Sequence, residues 1–423
     1  MTDETSPLTP LNTDDTVLIL GAGQAAGQCA ASLRQNGFDG RLILAGEEDH
    51  PPYQRPPLSK AYLSGEIDAD RLWVQSLETW AEQKVELRLG QAATAIERTS
   101  KRVTFAEGDS ESYDRLVIAT GSRVRPLPVP GADKDGVLYL RNIADVDRLK
   151  AAITPGKRIA IIGGGYIGLE AAAVAKKLGA QPVVIEAMDR LLARVATPEL
   201  SEFVRQAHEK RGVDILLDSQ VAEITGLFGA AKGVKLADGR KIECDTVLVG
   251  IGILPNQELA QQAGLDVENG IKINAWCQTS DLDVLAIGDC TRQHNVFYDR
   301  ELRLESVPNA LEQAKHAAAA LTGRPAPKAE LPWFWSDQFD LKIQTAGLIF
   351  DVDRTIIRGS LDAERFALFH YAGPRLVAAD AVNDPASFMA AKMMISQGKS
   401  PDPDELDDQD RSIKEIMKAT LSG

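Results

Sequence analysis

The chain has 423 residues, too many for a single hydrophobic core, and its length predicts roughly two to four domains. Hydrophobic residues make up 44% of the chain and charged residues 26%, a composition typical of a folded α/β protein. The formal net charge of −14 argues against nucleic acid or an anionic membrane as the main partner, because both attract clustered lysine and arginine.

The amino-terminal segment and the cysteines indicate the compartment. Residues 1–15 are polar and acidic, lack the features of a signal peptide, and are predicted to form a disordered arm. Every apolar run is shorter than the roughly 20 residues that a membrane-spanning helix needs. Cys29, Cys244, Cys277 and Cys290 lie far apart without metal-ligand spacing, which favours buried thiols in a reducing compartment. We therefore predict a cytoplasmic protein with no membrane partner and no metal site.

The first predicted element is a βαβ unit near the amino terminus. The apolar run TVLIL leads into GAGQAAG, and a helix and a second strand, RLILAGEED, follow. Gly21, Gly23 and Ala26 occupy the three key positions of a dinucleotide-binding turn, where a strand becomes a helix and the backbone can approach a pyrophosphate. Glu47 ends the second strand, where a carboxylate accepts hydrogen bonds from ribose hydroxyls.

A proline-rich insertion, HPPYQRPPLSKAYLSGE, follows this unit. Its four prolines reduce the freedom of the backbone and hold the side chain of Lys60 in place. On its own, the segment fits a rigid surface loop with a solvated lysine equally well.

The same motif returns in RIAIIGGGYIGLE, where Gly163, Gly165 and Gly168 form a GxGxxG turn between a strand and a helix. A tight turn without a ligand is the alternative interpretation. Similar strand-and-meander segments follow both copies, so the chain contains two copies of one nucleotide-binding unit. Two such folds indicate two nucleotides that meet face to face, one of them a flavin. Glu186 ends the second strand of this copy.

A carboxylate at Glu186 would repel a 2′-phosphate, so the second nucleotide is predicted to be NAD(H) rather than NADP(H). Arg190 and Arg194 lie nearby and favour the opposite preference.

Glu170 distinguishes the second copy from the first, which has Gln28 at the matching position. A carboxylate that faces the nucleotide cleft needs a cationic partner if it is desolvated. We predict that the partner is Lys60, placed near the flavin N5, where its ammonium would stabilise the reduced anionic flavin. Lys60 and Glu170 are therefore the predicted catalytic pair.

The later segments supply further candidates. In the segment LDVLAIGDCTRQ, an apolar strand is predicted to end at Gly288 and Asp289. Asp289 is similar to an aspartate that binds the ribityl chain in many flavoproteins. Capping a turn is an alternative role for it. A helix that begins after Pro308 would direct its amides at the flavin pyrimidine. From about residue 326, alternating strands and one helix predict an antiparallel sheet. Trp333 and Trp335 fit the core of that region more simply than a functional role.

Together with the motifs RPPLSKAYL, LVIATGSR, GIGILPN and PWFWSDQ, these features make nearly the whole chain resemble the putidaredoxin reductase-like family of FAD-dependent NADH:[2Fe-2S] ferredoxin reductases. The resemblance implies an α/β fold with two Rossmann-like dinucleotide-binding domains, of the glutathione reductase type, and a C-terminal α+β domain with an antiparallel sheet. It places the FAD-binding domain at residues 1–115 and 247–325, the NAD-binding domain at 116–246 and the C-terminal domain at 326–423.

The function implied by the resemblance is that of a ferredoxin–NAD(+) reductase. Such an enzyme takes a hydride from NADH onto FAD and passes single electrons to a [2Fe-2S] ferredoxin that serves a cytochrome P450 or Rieske oxygenase. A monomer or homodimer without a nucleic-acid partner is expected. Candidate docking residues, chosen by charge alone, are Arg292, Arg300, Arg303 and Lys315.

Site residues carry over position by position. The implied FAD contacts are Gly21, Gly23, Ala25, Ala26, Glu47, Arg55, Lys60, Ala93, Ala119, Thr120, Arg141, Gly288, Asp289, Val307 and Trp335. The implied NAD contacts are Gly163, Gly165, Ile167, Gly168, Glu170, Glu186 and Gly252. The chain departs from the family pattern at Ala93, where valine is usual, and at Ala26 in the first turn.

Two other functions remain open from the sequence. A disulfide reductase, NADH oxidase or peroxidase of the same fold needs a redox cysteine after the second strand of the first unit, and HPPYQRPPLSK has none. A nucleotide-binding signalling protein resembling apoptosis-inducing factor would need a basic surface, which the net charge disfavours. Both alternatives predict poor electron transfer to ferredoxin.

Overall fold

The computed structural model describes residues 8–422. These residues pack into two compact units. The first unit contains residues 8–55, 69–123 and 254–330, and the second contains residues 56–68, 124–253 and 331–422.

The secondary-structure elements are numbered in chain order. The strands are β1 (Thr16–Leu20), β2 (Arg41–Ala45), β3 (Val85–Arg88), β4 (Ala93–Glu97), β5 (Arg102–Phe105), β6 (Ser110–Ser112), β7 (Arg115–Ile118), β8 (Ser122–Val124), β9 (Val137–Leu138), β10 (Arg158–Ile162), β11 (Gln181–Ile185), β12 (Asp214–Leu216), β13 (Val221–Leu227), β14 (Ala230–Leu236), β15 (Lys241–Glu243), β16 (Thr246–Val249), β17 (Ile253–Pro255), β18 (Ile271–Ile273), β19 (Val284–Ala286), β20 (Thr291–Asn295), β21 (Arg300–Leu302), β22 (Trp333–Gln338), β23 (Leu341–Gly347), β24 (Arg354–Ser360), β25 (Arg365–Ala372) and β26 (Arg375–Val382). The helices are α1 (Gln24–Gln35), α2 (Ala61–Ser64), α3 (Leu77–Glu82), α4 (Ile143–Ala152), α5 (Tyr166–Lys177), α6 (Pro198–Lys210), α7 (Glu258–Gln262), α8 (Val307–Thr322), α9 (Pro385–Ser396), α10 (Pro403–Asp407) and α11 (Ile413–Ser422).

The first unit is built on a five-stranded parallel sheet in the order β19-β7-β1-β2-β3. The interior residues of β1 and β2 are buried and apolar, as expected for a parallel sheet covered on both faces. Helix α1 packs against α8, and both contribute small buried residues such as Ala30 and Ala317 to the core. The carboxyl ends of β1, β7 and β19 therefore meet at one edge, where ligands bind in such sheets.

The second unit contains two larger sheets. One is the parallel sheet β12-β11-β10-β16-β9, against which α5 packs. The other is the antiparallel sheet β22-β23-β26-β25-β24, which α9 covers with buried residues that include Phe388 and Met394. The two parallel sheets and the antiparallel C-terminal sheet confirm the predicted fold class.

The predicted disordered arm is wrong for its second half. Residues 1–7 lie outside the described part of the chain, but Leu8 is buried in the core of the first unit. Leu11 donates its backbone N–H to the carbonyl oxygen of Leu321 at 2.9 Å. Two leucines in an otherwise polar segment are enough to dock it against α8, because each removes apolar surface from water.

Within residues 8–422, no helix is both long enough and apolar enough to cross a membrane.

Candidate active site

The glycine turn of the first unit is closed by contacts that only glycine permits. Gly21 has a φ of +115°, and a Cβ at this position would overlap the carbonyl oxygen of Ala119. Ala119 in turn donates its N–H to the carbonyl oxygen of Leu20 at 2.7 Å. The methyl group of Ala26 is fully buried in α1, so alanine takes the third motif position without strain.

The second glycine turn repeats this geometry. Gly163 has a φ of +109°, and a Cβ there would lie 2.5 Å from the carbonyl oxygen of Gly250. A Cβ at Gly168 would overlap the carbonyl oxygen of Gly163, so α5 begins in direct contact with the end of β10. Both turns therefore bring a helix N-terminus to the edge of a parallel sheet.

Both helix N-termini can accept a phosphate. Gly23 and Gly165 are the N-caps of α1 and α5, and no side chain caps either helix in the described structure. By contrast, α4, α8 and α9 are capped by Asn142, Ser306 and Asp384. Apart from the two chain neighbours of each glycine, no atom of residues 8–422 lies within 4 Å of the position that a Cβ would take at Gly23 or Gly165. Open space above uncapped N–H groups fits a pyrophosphate in each turn, as FAD and NAD(H) require.

Several predicted FAD residues lie together at the carboxyl edge of the first sheet. A Cβ on Gly288 would come within 3.2 Å of the Ala25 methyl group, so these two positions are adjacent. Asp289 accepts a hydrogen bond of 2.9 Å from the Ser122 hydroxyl. Thr120 follows β7 directly and donates its hydroxyl to a backbone carbonyl at 2.7 Å.

Arg55 is held by a carboxylate that sequence reasoning missed. Its guanidinium lies 2.7 Å from Glu48 and 5.0 Å from the centre of the Tyr53 ring. The Tyr53 hydroxyl donates to the other oxygen of Glu48 at 2.6 Å. Glu47, the predicted ribose ligand, is exposed at the end of β2. Of these two consecutive glutamates, Glu48 orients Arg55 and Glu47 is exposed to solvent.

The remaining FAD candidates of the first unit lie where elements begin. Ala93 is the first residue of β4, and Val307 is the first residue of α8. Helix α8 starts before Pro308 rather than after it, because the Ser306 hydroxyl accepts the Asn309 N–H at 3.3 Å and caps the helix there. A proline in the first turn is compatible with this start because it needs no donor.

Arg141 and Trp335 belong to the second unit. The backbone N–H of Arg141 donates to Asp145 at 3.0 Å, one residue ahead of the capping box of α4. Trp335 is half-buried on β22, with its ring centre 5.5 Å from that of Trp333. Lys392 places its ammonium 4.7 Å above the Trp333 ring. Trp333 therefore packs in a structural cluster.

Glu186 is fixed by two backbone donors. Its Oε2 accepts the N–H of Gly164 at 2.6 Å, and its Oε1 accepts the N–H of Met188 at 2.8 Å. The carboxylate is thereby held against the second glycine turn. Ile167, on the first turn of α5, is 44% exposed and leaves the adjacent surface open.

The two arginines near Glu186, Arg190 and Arg194, differ in their hydrogen bonds and their exposure. Arg190 donates to the carbonyl oxygens of Ala193 and Ala196 at 2.9 and 2.8 Å, which commits its guanidinium to its own loop. Arg194 is exposed, and its guanidinium lies 3.3 Å from the position that a Cβ would take on Gly252. Arg190 therefore cross-links its own loop. The guanidinium of Arg194 lies beside Gly252, which is a predicted NAD contact.

The structure brings Lys60 and Glu170 together. The Lys60 ammonium lies 2.7 Å from Glu170 Oε2, and the two side chains are 18% and 1% exposed. The Ser59 hydroxyl donates to the same oxygen at 2.5 Å, and the Ser336 hydroxyl donates to Oε1 at 2.6 Å. Sequence reasoning missed both serines, although each lies inside a motif, RPPLSK or PWFWSDQ, that was recognised as a whole.

A second line of polar residues continues from Ser336. The Gln338 amide nitrogen lies 3.1 Å from the Ser336 hydroxyl, and its oxygen lies 2.8 Å from His208 Nε2. All three side chains are fully buried. Burial lowers the pKa of His208 to about 4, because no water is available to solvate an imidazolium.

Tyr166, one turn before Glu170 on α5, is also tied to the C-terminal sheet. Its ring centre lies 4.7 Å from that of Phe334 on β22. Thr345, which pairs with Phe334 across the sheet, donates to Asp380 Oδ1 at 2.5 Å. His370 Nε2 lies 2.9 Å from the other oxygen of Asp380, and both residues are fully buried. Burial of the hydroxyl and the charge of Asp380 raise the pKa of Tyr166, so the phenol stays protonated.

Family comparisons agree with this geometry. Residues 15–314 match the pyridine nucleotide-disulphide oxidoreductase family, and residues 333–417 match the reductase C-terminal family. The chain belongs to the pyridine nucleotide-disulphide oxidoreductase family.

The relatives narrow the class further. The chain is 49% identical over 391 residues to the probable ferredoxin reductase CtmF of Castellaniella defragrans, an alignment that covers 91% of this chain and 94% of CtmF. It is 41% identical over 414 residues to the putidaredoxin reductase CamA of Pseudomonas putida, covering 97% and 98% of the two chains. The reductase in a crystal structure of the covalent putidaredoxin reductase–putidaredoxin complex superimposes with a TM-score of 0.95 at 40% identity, covering 97% of this chain and 100% of that one.

Proposed function

We propose that this chain is an FAD-dependent NADH:ferredoxin reductase that delivers electrons singly to a [2Fe-2S] ferredoxin of a P450 or Rieske oxygenase system. The observation that carries the proposal is the Lys60–Glu170 pair, which fixes a positive charge in a segment that holds no cysteine. The ferredoxin reductases and putidaredoxin reductase among the relatives support the same partner class.

Each part of the chain has a defined task in this reaction. FAD, when bound, accepts two electrons from NADH and can release them one at a time, which a nicotinamide does not readily do. The turns at Gly23 and Gly165 bind the two pyrophosphates. Lys60 would supply positive charge that stabilises the reduced flavin, and Glu170 holds the Lys60 ammonium in place. Glu186 orients the NADH ribose and disfavours a 2′-phosphate.

The cysteines disfavour the disulfide reductase alternative. All four are buried free thiols, and no disulfide joins them. Burial raises the pKa of Cys29 to about 12 and that of Cys244 to about 11, so neither forms a thiolate at neutral pH. The region before Lys60 holds four prolines and no redox cysteine.

The domain assignment and the compartment are part of the proposal. We assign FAD to residues 1–115 and 247–325, NADH to residues 116–246, and a C-terminal domain to residues 326–423. The four buried thiols and the absence of metal-ligand cysteine spacing support a reducing compartment, and we place the protein in the cytoplasm as a monomer or homodimer.

The test is an anaerobic titration of the yellow holoprotein with NADH, followed by addition of [2Fe-2S] ferredoxins encoded near the gene. We expect NADH to bleach the flavin and the reduced protein to reduce at least one ferredoxin, read out with cytochrome c. A flavin that bleaches, reduces no ferredoxin and instead consumes oxygen rapidly would identify an oxidase and overturn the proposal.

A further inference from the structure

We propose that Ser336 is a positioning residue, the last donor of a one-way hydrogen-bond chain His208–Gln338–Ser336 that holds the Glu170 carboxylate and, through it, the ammonium of Lys60. The consequence for electron transfer rests on the proposed function. The chain of contacts itself is a property of the second unit alone.

The direction of the chain follows from what each group can donate. Glu170 already receives Ser59 and Lys60 at Oε2, so its Oε1 takes the single proton of the Ser336 hydroxyl. The Ser336 oxygen must then accept from a donor, and the nitrogen end of the Gln338 amide lies 3.1 Å away.

This assignment fixes the rest of the chain. With its nitrogen turned to Ser336, Gln338 presents its oxygen to His208, and Nε2 of the imidazole must carry the proton. The other ring nitrogen, Nδ1, is buried and has no hydrogen-bond partner in the described structure. A bare Nδ1 suits the neutral Nε2–H tautomer, so every donor in the chain points towards Glu170.

In the described part of the chain, no other group duplicates the task of Ser336. Two donors share Oε2, whereas the Ser336 hydroxyl is the donor found at Oε1. Glu170 is 1% exposed and Ser336 is fully buried, so water cannot replace a lost donor without reopening the packing. Without Ser336 the carboxylate is free to turn about its terminal bond, and Lys60 loses its fixed partner. Linked donors also polarise one another, which strengthens the bond at the end of the chain.

The test measures Lys60 directly in the intact FAD-loaded protein, without NADH or ferredoxin. Competitive labelling of lysines with a small amine reagent at mildly alkaline pH, read by mass spectrometry, reports how tightly the Lys60 side chain is held in its ion pair. We expect Ser336→Ala to raise Lys60 labelling about tenfold, towards the level of Glu170→Gln, because a side chain released from its partner reaches the reagent more readily.

Two further variants separate positioning from packing. Ser336→Thr keeps the hydroxyl and should stay within about twofold of the parent protein. Ser387→Ala removes a similarly buried serine of the C-terminal domain, one that bonds Asp384 at 2.6 Å, and should leave Lys60 unchanged. If Ser336→Ala does not yield folded holoprotein, Gln338→Met removes the donor behind Ser336 and should raise labelling about threefold.

Unchanged Lys60 labelling in Ser336→Ala, alongside a clear rise in Glu170→Gln, would overturn the inference. So would an equal rise in Ser387→Ala. Stopped-flow reduction by NADH adds a second readout, in which Ser336→Ala should be about tenfold slower and Ser336→Thr should recover the rate. If the parent protein is not reduced by NADH, the proposed function fails while the labelling contrast still decides the role of Ser336.

Discussion

The carboxylate of Glu170 is 1% exposed, and a charge at that depth persists only where donors surround it. Two serines and one lysine fill that role. An exposed pair of the same residues would contribute little, because water screens it. The buried Glu170 carboxylate therefore holds the positive charge of Lys60 in a fixed position.

Removal of either charge should slow flavin reduction. We expect Lys60→Met and Glu170→Gln each to lower the stopped-flow rate of reduction by NADH about 10- to 100-fold, because the charge that favours the reduced ring is lost or misdirected. The FAD content, read from the absorption spectrum, should remain unchanged. Lys399→Met, which alters a lysine far along the sequence, provides the control, and equal rates in all variants would remove the pair from the reaction.

Glu186 should set the preference for NADH. NADPH should reduce the flavin at least about tenfold less efficiently in kcat/KM, since its 2′-phosphate would meet the carboxylate. Glu186→Ala should reduce the difference in kcat/KM between NADH and NADPH. It should also weaken the binding of NADH, because the Gly164 N–H loses its acceptor. Comparable kcat/KM values for both nucleotides in the parent protein would show that Glu186 does not select, and Arg194→Ala would then test the competing cation.

His208 should make stability depend on pH. Its pKa falls from the usual value of about 6.5 to about 4 on burial, so the folded protein binds a proton less readily than the unfolded chain. The contribution of neutral His208 to the free energy of unfolding is complete above about pH 6.5 and is lost as the pH falls towards about 4, at about 1.4 kcal/mol per pH unit. Between these two pH values, the free energy of unfolding in urea should therefore fall more steeply for the parent protein than for His208→Gln. Parallel curves for the two proteins would contradict it.

At the scale of the elements, the two glycine turns combine a packing requirement with a binding requirement at neighbouring positions. Gly163 and Gly168 are glycine because carbonyl oxygens occupy the space of a side chain. Gly165 has open space instead, so no contact within the described part of the chain demands glycine there. We propose that the phosphate of the bound nucleotide explains the absence of a side chain at Gly165.

This difference can be measured with a matched pair of variants. Gly163→Ala combines a positive φ with a contact of 2.5 Å, and it should lower the free energy of unfolding by at least about 1 kcal/mol. Gly165→Ala should unfold almost like the parent but bind NADH about tenfold or more weakly, because its methyl group enters the phosphate space. Thermal unfolding and NADH titration check both, and equal NADH binding in Gly165→Ala would contradict the assignment of this turn.

The elements also show what a sequence can and cannot predict. The strand–glycine–helix turns were predictable because their geometry is local and repeats in the chain. The pairing of Lys60 with Glu170 followed from a missing counterpart at Gln28. The bonds of Glu170 to Ser59 and Ser336 were not predictable, since they join residues separated by 111 and 166 positions and depend on packing. The arm at Leu8 was mistaken for disorder because two apolar residues leave no periodic signal.

At the scale of the whole molecule, surface charge bears on where a partner docks, and the burial of the thiols bears on the class of reductase. Two of the candidate docking arginines lie beside carboxylates. Arg292 lies 3.6 Å from Glu268, and Arg303 pairs with Glu305. These carboxylates weaken the local positive field, and the docking role of the four basic residues stays a prediction.

The buried thiols give a prediction for the intact protein. Native holoprotein should react slowly with a thiol reagent at all four cysteines and should keep its NADH-driven reduction of ferredoxin during the treatment. In urea, all four should react rapidly. Loss of activity in step with modification of one thiol would favour a cysteine-dependent reductase instead.

The contacts of Tyr166 with Phe334 and of Glu170 with Ser336 bear on protein engineering. Exchanging the segment from residue 331 onwards is one way to build chimeras between related reductases. Such a chimera replaces the anchors of the nucleotide-binding helix along with the exchanged surface. Grafts that retain Phe334, Ser336 and Gln338 of β22 should keep flavin reduction by NADH intact. Grafts that replace these residues would slow flavin reduction along with any change of partner.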